Sequence, residues 1–469
     1  MVHQLKNTEA RILLAHPSML KTALTAAKEA GLPRDCIFQF SDTENQTLDG
    51  VKDWRHLLGS VQDGESYSWP KLNPEESVNT VATINYSSGT TGLPKGVCVS
   101  HHNLISNIEQ TIFMKFSGQP FTKDNAPAER WLGFLPLYHA YGQLWTILIA
   151  TKLLVPVYIM KQFVYEDFLR SIQDFQVTDL HVAPPIIVML AKRPETAKYD
   201  ISSVRNVLCG AAPLSRELQN EVSKRFQLQI NQGWGMTEVT CGAMHVPGGV
   251  YDDSGSVGQL HPNAECMLVD DEGREVDIGQ PGELWVRGPQ VCLRYWKNEA
   301  ATKDSITEDR WLKTGDIAKC DERGYFWIVD RKKVRFSEEC LECAEGTDKG
   351  WSQELIKVNA LQVAPAELEA VLLENEHIAD AAVVGITLHD EEWPRAYVAL
   401  QDSAKGKIKP TDIQEWIKPR VAKHKHLVGG VTFVDEVPKL ASGKIQRKIM
   451  REWSKADAKI LEKGFKARI

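Results

Sequence analysis

The chain has 469 residues, 43% apolar and 25% charged, an ordinary balance for a globular protein of roughly two or three domains. Its net charge of −7 lacks the basic excess of a nucleic-acid binder, and no apolar run is long enough to cross a bilayer. The 9 cysteines are scattered, which fits a reducing compartment and not a disulfide framework.

Up to about residue 240, short apolar runs alternate with amphipathic stretches. "RILLAH", "VATINY", "RWLGFLP", "KLLVPVYIM", "TDLHVA" and "VRNVLCG" read as strands. "PSMLKTALTAAKEAG", with proline near its start and glycine at its end, "VYEDFLRSIQDF" and "LSRELQNEVSKRF" read as helices. The alternation predicts α/β architecture with mainly parallel sheets. Between residues 254 and 330, short β runs separated by "DDEG", "GQPG" and "DERG" predict a small antiparallel β-barrel or sandwich. A helix at "APAELEAVLLEN", strands at "DAAVVGIT" and "AYVALQ", and a later helix and strand predict a compact α+β terminal domain. The boundary falls in "VDRKK", which gives domains over residues 1–330 and 331–469.

The stretch "YSSGTTGLPKG", residues 86–96, comes directly after an apolar run. A tight turn of Ser, Thr and Gly presents backbone N–H groups and hydroxyls to anionic oxygens, and Lys95 adds a positive charge. The Walker spacing is not met, because Lys95 is followed by glycine and no Ser or Thr is placed to hold Mg²⁺. The loop predicts a phosphate site of another kind.

Together with motifs further along the chain, the loop resembles the adenylate-forming superfamily, in the branch of the 4-coumarate–CoA ligases and acyl-CoA synthetases. The resemblance rests on an ordered set: "YSSGTTGLPKG", "LPLYHAYG", "GAAPL", "QGWGMTE", "WLKTGD", "IVDRKK", "ELIK", "VAPAELE" and "SGKIQRK". It implies a large N-terminal domain of two α/β sheet subdomains plus the barrel, and a small mobile C-terminal domain. It implies an AMP-forming ligase that activates an aryl or medium-chain carboxylic acid as acyl-AMP and passes it to coenzyme A. ATP, Mg²⁺ and CoA are the implied cofactor and co-substrates.

By that resemblance Ser87, Ser88, Gly89, Thr90, Thr91, Gly92 and Lys95 hold the β- and γ-phosphates. Gly210, Ala211, Ala212, Gln232, Gly233, Trp234 and Gly235 form the AMP site, with Trp234 stacked on adenine. Thr237 binds the α-phosphate, although it could equally serve as a helix N-cap. Glu238 holds Mg²⁺, a hard cation that takes oxygen ligands. Asp316 accepts from the ribose hydroxyls with Arg331 beside it. His139, Tyr141, Ala211 and Gly233 border the acyl pocket. Lys444 neutralises charge in the first half-reaction and Lys357 serves the second, with Lys333 at the hinge and Asn359 and Ala360 at CoA.

Three departures stand out. Members of the superfamily carry about a hundred more residues before "HQLKNTEARILLAHP", which predicts an N-terminally truncated large domain. Residues 334–353 interrupt "DRKK" and "ELIK", and the motif joins cleanly when they are removed. The segment reads as a retained intron translated in frame, with a genuine regulatory loop as the competing reading, and its Cys340 and Cys343 lack a second ligand pair for zinc. Asn359-Ala360 stands where Lys-Gly is usual. A catalytically impaired remnant and an amino-acid adenylation module are the competing readings. The C-terminal "KARI" resembles a degenerate peroxisomal address or a frayed basic tail, which leaves peroxisome and cytoplasm open.

Overall fold

The computed structural model describes residues 1–43, 47–87, 94–116, 122, 124, 128–331, 356–358, 361–388, 391–440 and 443–466. The chain divides into two compact units, Met1–Ser77 with Tyr295–Glu299, and Val78–Arg294 with Ala300–Ile469. The first unit holds α1 (Val2–Thr8) and α2 (Leu20–Ala30) with three short parallel strands, β1 (Leu13–Ala15), β2 (Ile37–Gln39) and β3 (Lys52–Asp53). Gly31 ends α2 in the left-handed conformation, as the sequence predicts. Leu20, Ala23, Ala27 and Ile37 form its small core.

In the second unit an antiparallel pair, β4 (Val81–Ser87) and β5 (Lys95–Ser100), leads into α3 (His101–Lys115). Ser100 and Asn103 cap α3 reciprocally, each side chain accepting from the other's backbone N–H at 3.1 and 2.9 Å. The parallel strands β6 (Trp131–Gly133), β7 (Val157–Ile159), β8 (Asp179–Val182), β9 (Asn206–Cys209) and β10 (Gln229–Gly235) come next. Between them lie α4 (Tyr165–Phe175), α5 (Pro184–Lys192) and α6 (Arg216–Phe226).

The antiparallel strands expected between residues 254 and 330 continue the same hydrogen-bonded ladder. With β11 (Gly242–His245), β12 (Gly258–Leu260), β13 (Glu265–Val269), β14 (Gly282–Arg287), β15 (Leu312–Cys320) and β16 (Tyr325–Arg331), the order is β13-β14-β15-β16-β12-β11-β10-β9-β8-β6-β7. The change from parallel to antiparallel falls between β10 and β11.

Side chains that alternate along a strand go to opposite faces. Leu180, Val182, Val207, Cys209 and Ile230 point to one face, where Phe168, Ile187, Leu190 and Val222 of α4, α5 and α6 cover them. On the other face Ile112, Trp131, Tyr141 and Trp145 form a second cluster under α3 and a π-helical turn, Gln143–Ile149.

The C-terminal part pairs β17 (Ile356–Val358) with β18 (Leu361–Val363). It then runs through α7 (Pro365–Leu373), β19 (Ile378–Leu388), β20 (Glu391–Leu400), α8 (Pro410–Ile417), β21 (Val431–Val434) and α9 (Arg447–Lys466). A buried pair, Arg447 with Glu369 at 2.6 Å, joins α9 to α7. Lys192 at the end of α5 donates to the carbonyls of Asn375 (3.0 Å), Ile378 (2.8 Å) and Leu373, tying the C-terminal part to the large sheet's helices.

Candidate active site

The parallel strands place β6 next to β8, while β7 lies outside β6 and β9 and β10 lie on the far side of β8. The chain therefore reverses its winding direction between β6 and β8. In open α/β sheets such a switch point opens a crevice at the carboxyl ends of the strands. The predicted residues collect there. His139 follows β6, Ala183 follows β8, Gly210–Ala212 follow β9, and Trp234 to Glu238 close β10 or follow it.

The C-terminal turn bearing Lys444 arrives at the same place. Gly443, with φ +83°, sits so that an added Cβ would lie 3.0 Å from the Ala183 Cβ and 3.4 Å from the Pro185 ring. A left-handed backbone without a side chain lets the turn seat against the start of α5. That seat brings the Lys444 charge close enough to act on His139. Burial first, and the Lys444 charge second, hold the His139 imidazole down at about 4, so it is neutral at neutral pH. Its Nδ1 accepts from the Tyr141 backbone N–H at 3.3 Å, which assigns the ring proton to Nε2. His139 is thus the N-cap of the short helix Ala140–Gly142 as well as Lys444's neighbour.

Trp234 and Asp316, expected to serve adenine and ribose separately, are joined. The buried indole N–H donates to the Asp316 carboxylate at 2.9 Å. Arg331 stands across the β15–β16 ladder from Asp316, its guanidinium 3.6 Å from the second carboxylate oxygen. The approach to Asp316 is built by Thr314, which donates to the Leu284 carbonyl at 2.7 Å and accepts from the Asp316 N–H at 3.0 Å.

Other predicted residues are placed differently. Gln232 does not bring its side chain here, because the amide donates to the Leu214 carbonyl (3.2 Å) and Gln219 (2.8 Å) near α6. Thr237 is not an N-cap, since Met236 holds that position and makes no side-chain cap. Glu238 is buried beside it, 6% exposed. Ala211 has a left-handed backbone, φ +72°, unusual for a residue with a Cβ and a mark of local strain at a site.

The glycines of "QGWG" answer to packing. A Cβ on Gly233 would lie 3.1 Å from the Met244 carbonyl oxygen, and one on Gly235 only 1.8 Å from that of Cys241. The close approach of β10 and β11 requires both. Gly235→Ala is therefore expected to cost about 3 kcal/mol of stability, read as a lowered midpoint in urea unfolding. Gly210→Ala, whose Cβ would meet the Tyr141 ring at an ordinary 3.5 Å, is expected to leave the midpoint unchanged.

Residues 88–92, Lys333, residues 334–353, Asn359, Ala360 and residues 467–469 lie outside the described residues. Lys357 is described only as backbone of β17. Ser87 and Lys95, which flank the undescribed loop, end β4 and begin β5, paired across that ladder.

Residues 1–296 match the AMP-binding enzyme family and residues 367–444 match the AMP-binding enzyme C-terminal domain. The chain belongs to this family. It is 37% identical over 84% of its length to a probable 4-coumarate–CoA ligase of Dictyostelium discoideum, spanning 66% of that sequence. It is 35% identical over 98% of its length to an acyl-CoA synthetase of Alternaria alternata, spanning 75% of that one. In fold it is similar to ATP-bound MatB from Rhodopseudomonas palustris, with a TM-score of 0.76 at 24% identity, covering 97% of this chain and 82% of that one.

Sequence reading missed a second group on the same sheet. A parallel strand buried on both faces is normally apolar throughout. Here the face under α3 carries Asp179, His181, Asn206, Gln229 and Asn231, in the alternation visible in "DLHV", "NVL" and "QIN". Lys115 of α3 pairs with Glu129 at 3.0 Å and Asp179 at 3.3 Å. His181 stacks on Trp145, ring centroids 4.2 Å apart, and His245 contacts His261 at 2.8 Å.

Burial holds His181 down at about 3 and His245 at about 4, against 6.5 for an exposed histidine. The unfolded chain takes up these protons as pH falls through 6.5 while the folded chain does not. Their contribution to stability is whole above pH 6.5 and is lost as pH falls toward 4. At pH 5 the expected loss is about 2 kcal/mol for each histidine. Urea unfolding at pH 7 and pH 5 measures it, and His181→Gln is expected to shrink the difference.

Proposed function

We propose that the chain is an ATP-dependent acid–CoA ligase. A carboxylate attacks the α-phosphorus of ATP to give an acyl-adenylate and pyrophosphate, and the thiol of coenzyme A then displaces AMP to give the thioester. The observation that carries this reading is the turn bearing Lys444, seated against Ala183 and Pro185 at the switch point between β6 and β8, with its charge acting on His139. An ammonium there neutralises the carboxylate and α-phosphate oxygens as they approach each other, a repulsion that otherwise dominates the barrier. Neutral His139 keeps its Nε2–H as a donor and adds no second charge. Trp234 offers a ring to adenine, and Asp316 accepts from the ribose hydroxyls. Family membership and the ligase relatives support the reading.

Mg²⁺ enters with the triphosphate. Among the described residues no cluster of three or more His, Cys, Asp or Glu could hold a metal by itself. Mg²⁺ commonly binds through one or two carboxylates together with substrate phosphates, and buried Glu238, just past the end of β10, fits that pattern. The bound cation supplies charge neutralisation on the phosphates. The acid is an aryl or medium-chain one, and peroxisomal or cytoplasmic residence goes with either.

ATP–pyrophosphate exchange across cinnamates, phenylacetate, benzoates and C6–C12 fatty acids tests the assignment. Acid-dependent exchange is expected. A folded sample that exchanges with none of them would overturn it in favour of a nucleotide-binding remnant.

A further inference from the structure

The polar face under α3 lines a partly open cavity of about 160 Å³, bordered by Lys115, Glu129, Asp179, His181, Asn231 and His245 and, at its solvent side, by Gly249. Its position is set by register. Leu208 on β9 faces His181 on one side and Asn231 on the other, and Gly233, two residues on, faces His245 across the antiparallel ladder. Two residues along a strand advance about 7 Å on one face. The cavity therefore lies one such step below Gly210 and Gly233, on the face that carries the acyl-pocket residue Tyr141. Leu208 forms the border, its Cδ1 3.5 Å from where a Gly233 Cβ would stand. Gly233 itself adds no side chain to the way through.

The cavity's chemistry is unbalanced in one direction. Two carboxylates, Glu129 and Asp179, face one ammonium, Lys115. His181 and His245 are neutral and contribute no charge. Among the described lining residues the carboxylates outnumber the ammonium by one. The strain shows on Glu129, whose carboxyl is pushed up by burial and by the Asp179 charge against the pull of Lys115. Two buried polar atoms, Asn231 Oδ1 and His245 Nε2, have no hydrogen-bond partner among the described residues. Buried orphans of this kind are costly unless something fills them.

Resting on the ligase reading, we propose that this cavity is the distal end of the acyl pocket and takes a protonated amine, so that the acid activated is an amino-terminated alkyl or aryl carboxylic acid. A second ammonium matches the number of ammoniums to that of carboxylates and supplies donors to Asn231 Oδ1 and the carboxylates. An acid ending in a second carboxylate would add to the excess charge. A hydrocarbon end would leave both orphans unfilled and displace any water that serves them.

Calorimetric binding of 8-aminooctanoate, 8-hydroxyoctanoate, octanoate and octanedioate to the full chain reads the preference directly. The amino acid is expected to bind about tenfold tighter than octanoate, the hydroxy acid between them, and octanedioate weakest. Glu129→Gln keeps an acceptor for the Trp131 indole and removes the charge, and is expected to erase the amine preference. Asn231→Leu removes the orphan acceptor and is expected to weaken the amino acid while strengthening octanoate. Equal binding of 8-aminooctanoate and octanoate, or a preference untouched by both variants, would overturn the proposal. Pyrophosphate exchange with the same four acids is read separately. Its absence with all of them counts against the ligase chemistry, and the binding order still decides the cavity.

Discussion

Lys444→Ala is expected to lower ATP–pyrophosphate exchange by about 10²–10³-fold, the usual cost of deleting one preorganised charge at a site where charge develops. Formation of acyl-CoA from a supplied acyl-adenylate is expected to stay within about threefold of the parent, because attack in that step falls on the acyl carbon and no bond to the α-phosphorus is made or broken. The contrast separates a chemical role from a structural one. The turn is held in part by the Leu440 N–H donating to the Lys444 carbonyl at 2.8 Å and by Gly443 against Ala183, backbone contacts that the substitution leaves in place. Urea unfolding of the variant is therefore expected to match the parent. Lys444→Arg is expected to recover little, since a planar guanidinium does not present a compact charge in the same place. Equal loss in both half-reactions with a lowered unfolding midpoint would assign Lys444 to docking of the turn.

The sheet was legible because its strands are marked by local chemistry. "TDLHVA" and "VRNVLCG" are apolar on one alternation, and the intervening helices carry their own caps and stops, such as Ser215 before α6 and Gly31 after α2. The ordered motifs singled out His139 and Lys444, which sit on turns whose Pro or Gly is visible in the sequence, and Asp316, which follows Gly315 within β15. Three things were not legible. Strand order is a non-local property, so the switch point between β6 and β8 could not be read from either strand alone. Side-chain direction at Gln232 depends on Leu214 and Gln219, which lie on a neighbouring segment and on α6. The polar cavity needs α3, β6, β8, β9, β10 and β11 together. Its signal was the other alternation of the same strands, where Asp179, His181, Asn206 and Asn231 break an otherwise apolar pattern.

Asp316 provides the second large effect. Its carboxylate is held by the Trp234 indole at one oxygen and faces Arg331 at the other, so the proposed contact to ribose needs no further ordering of the side chain. Asp316→Ala removes an acceptor from a site built to satisfy two hydroxyl donors. It also leaves the buried Trp234 N–H without its Asp316 acceptor and removes one carboxylate from beside Arg331. The expected result is a rise of about 10²-fold in KM for ATP, with a smaller fall in kcat, measured in the exchange assay at varied ATP. Trp234→Phe keeps a ring for adenine and removes only the N–H, so its expected rise in KM is about fivefold. In the double variant the two effects are expected to fall short of additivity by about 1 kcal/mol, because the carboxylate lost in one is the partner lost in the other. Full additivity would mean that the indole–carboxylate bond does not orient Asp316, and that Trp234 acts on adenine alone.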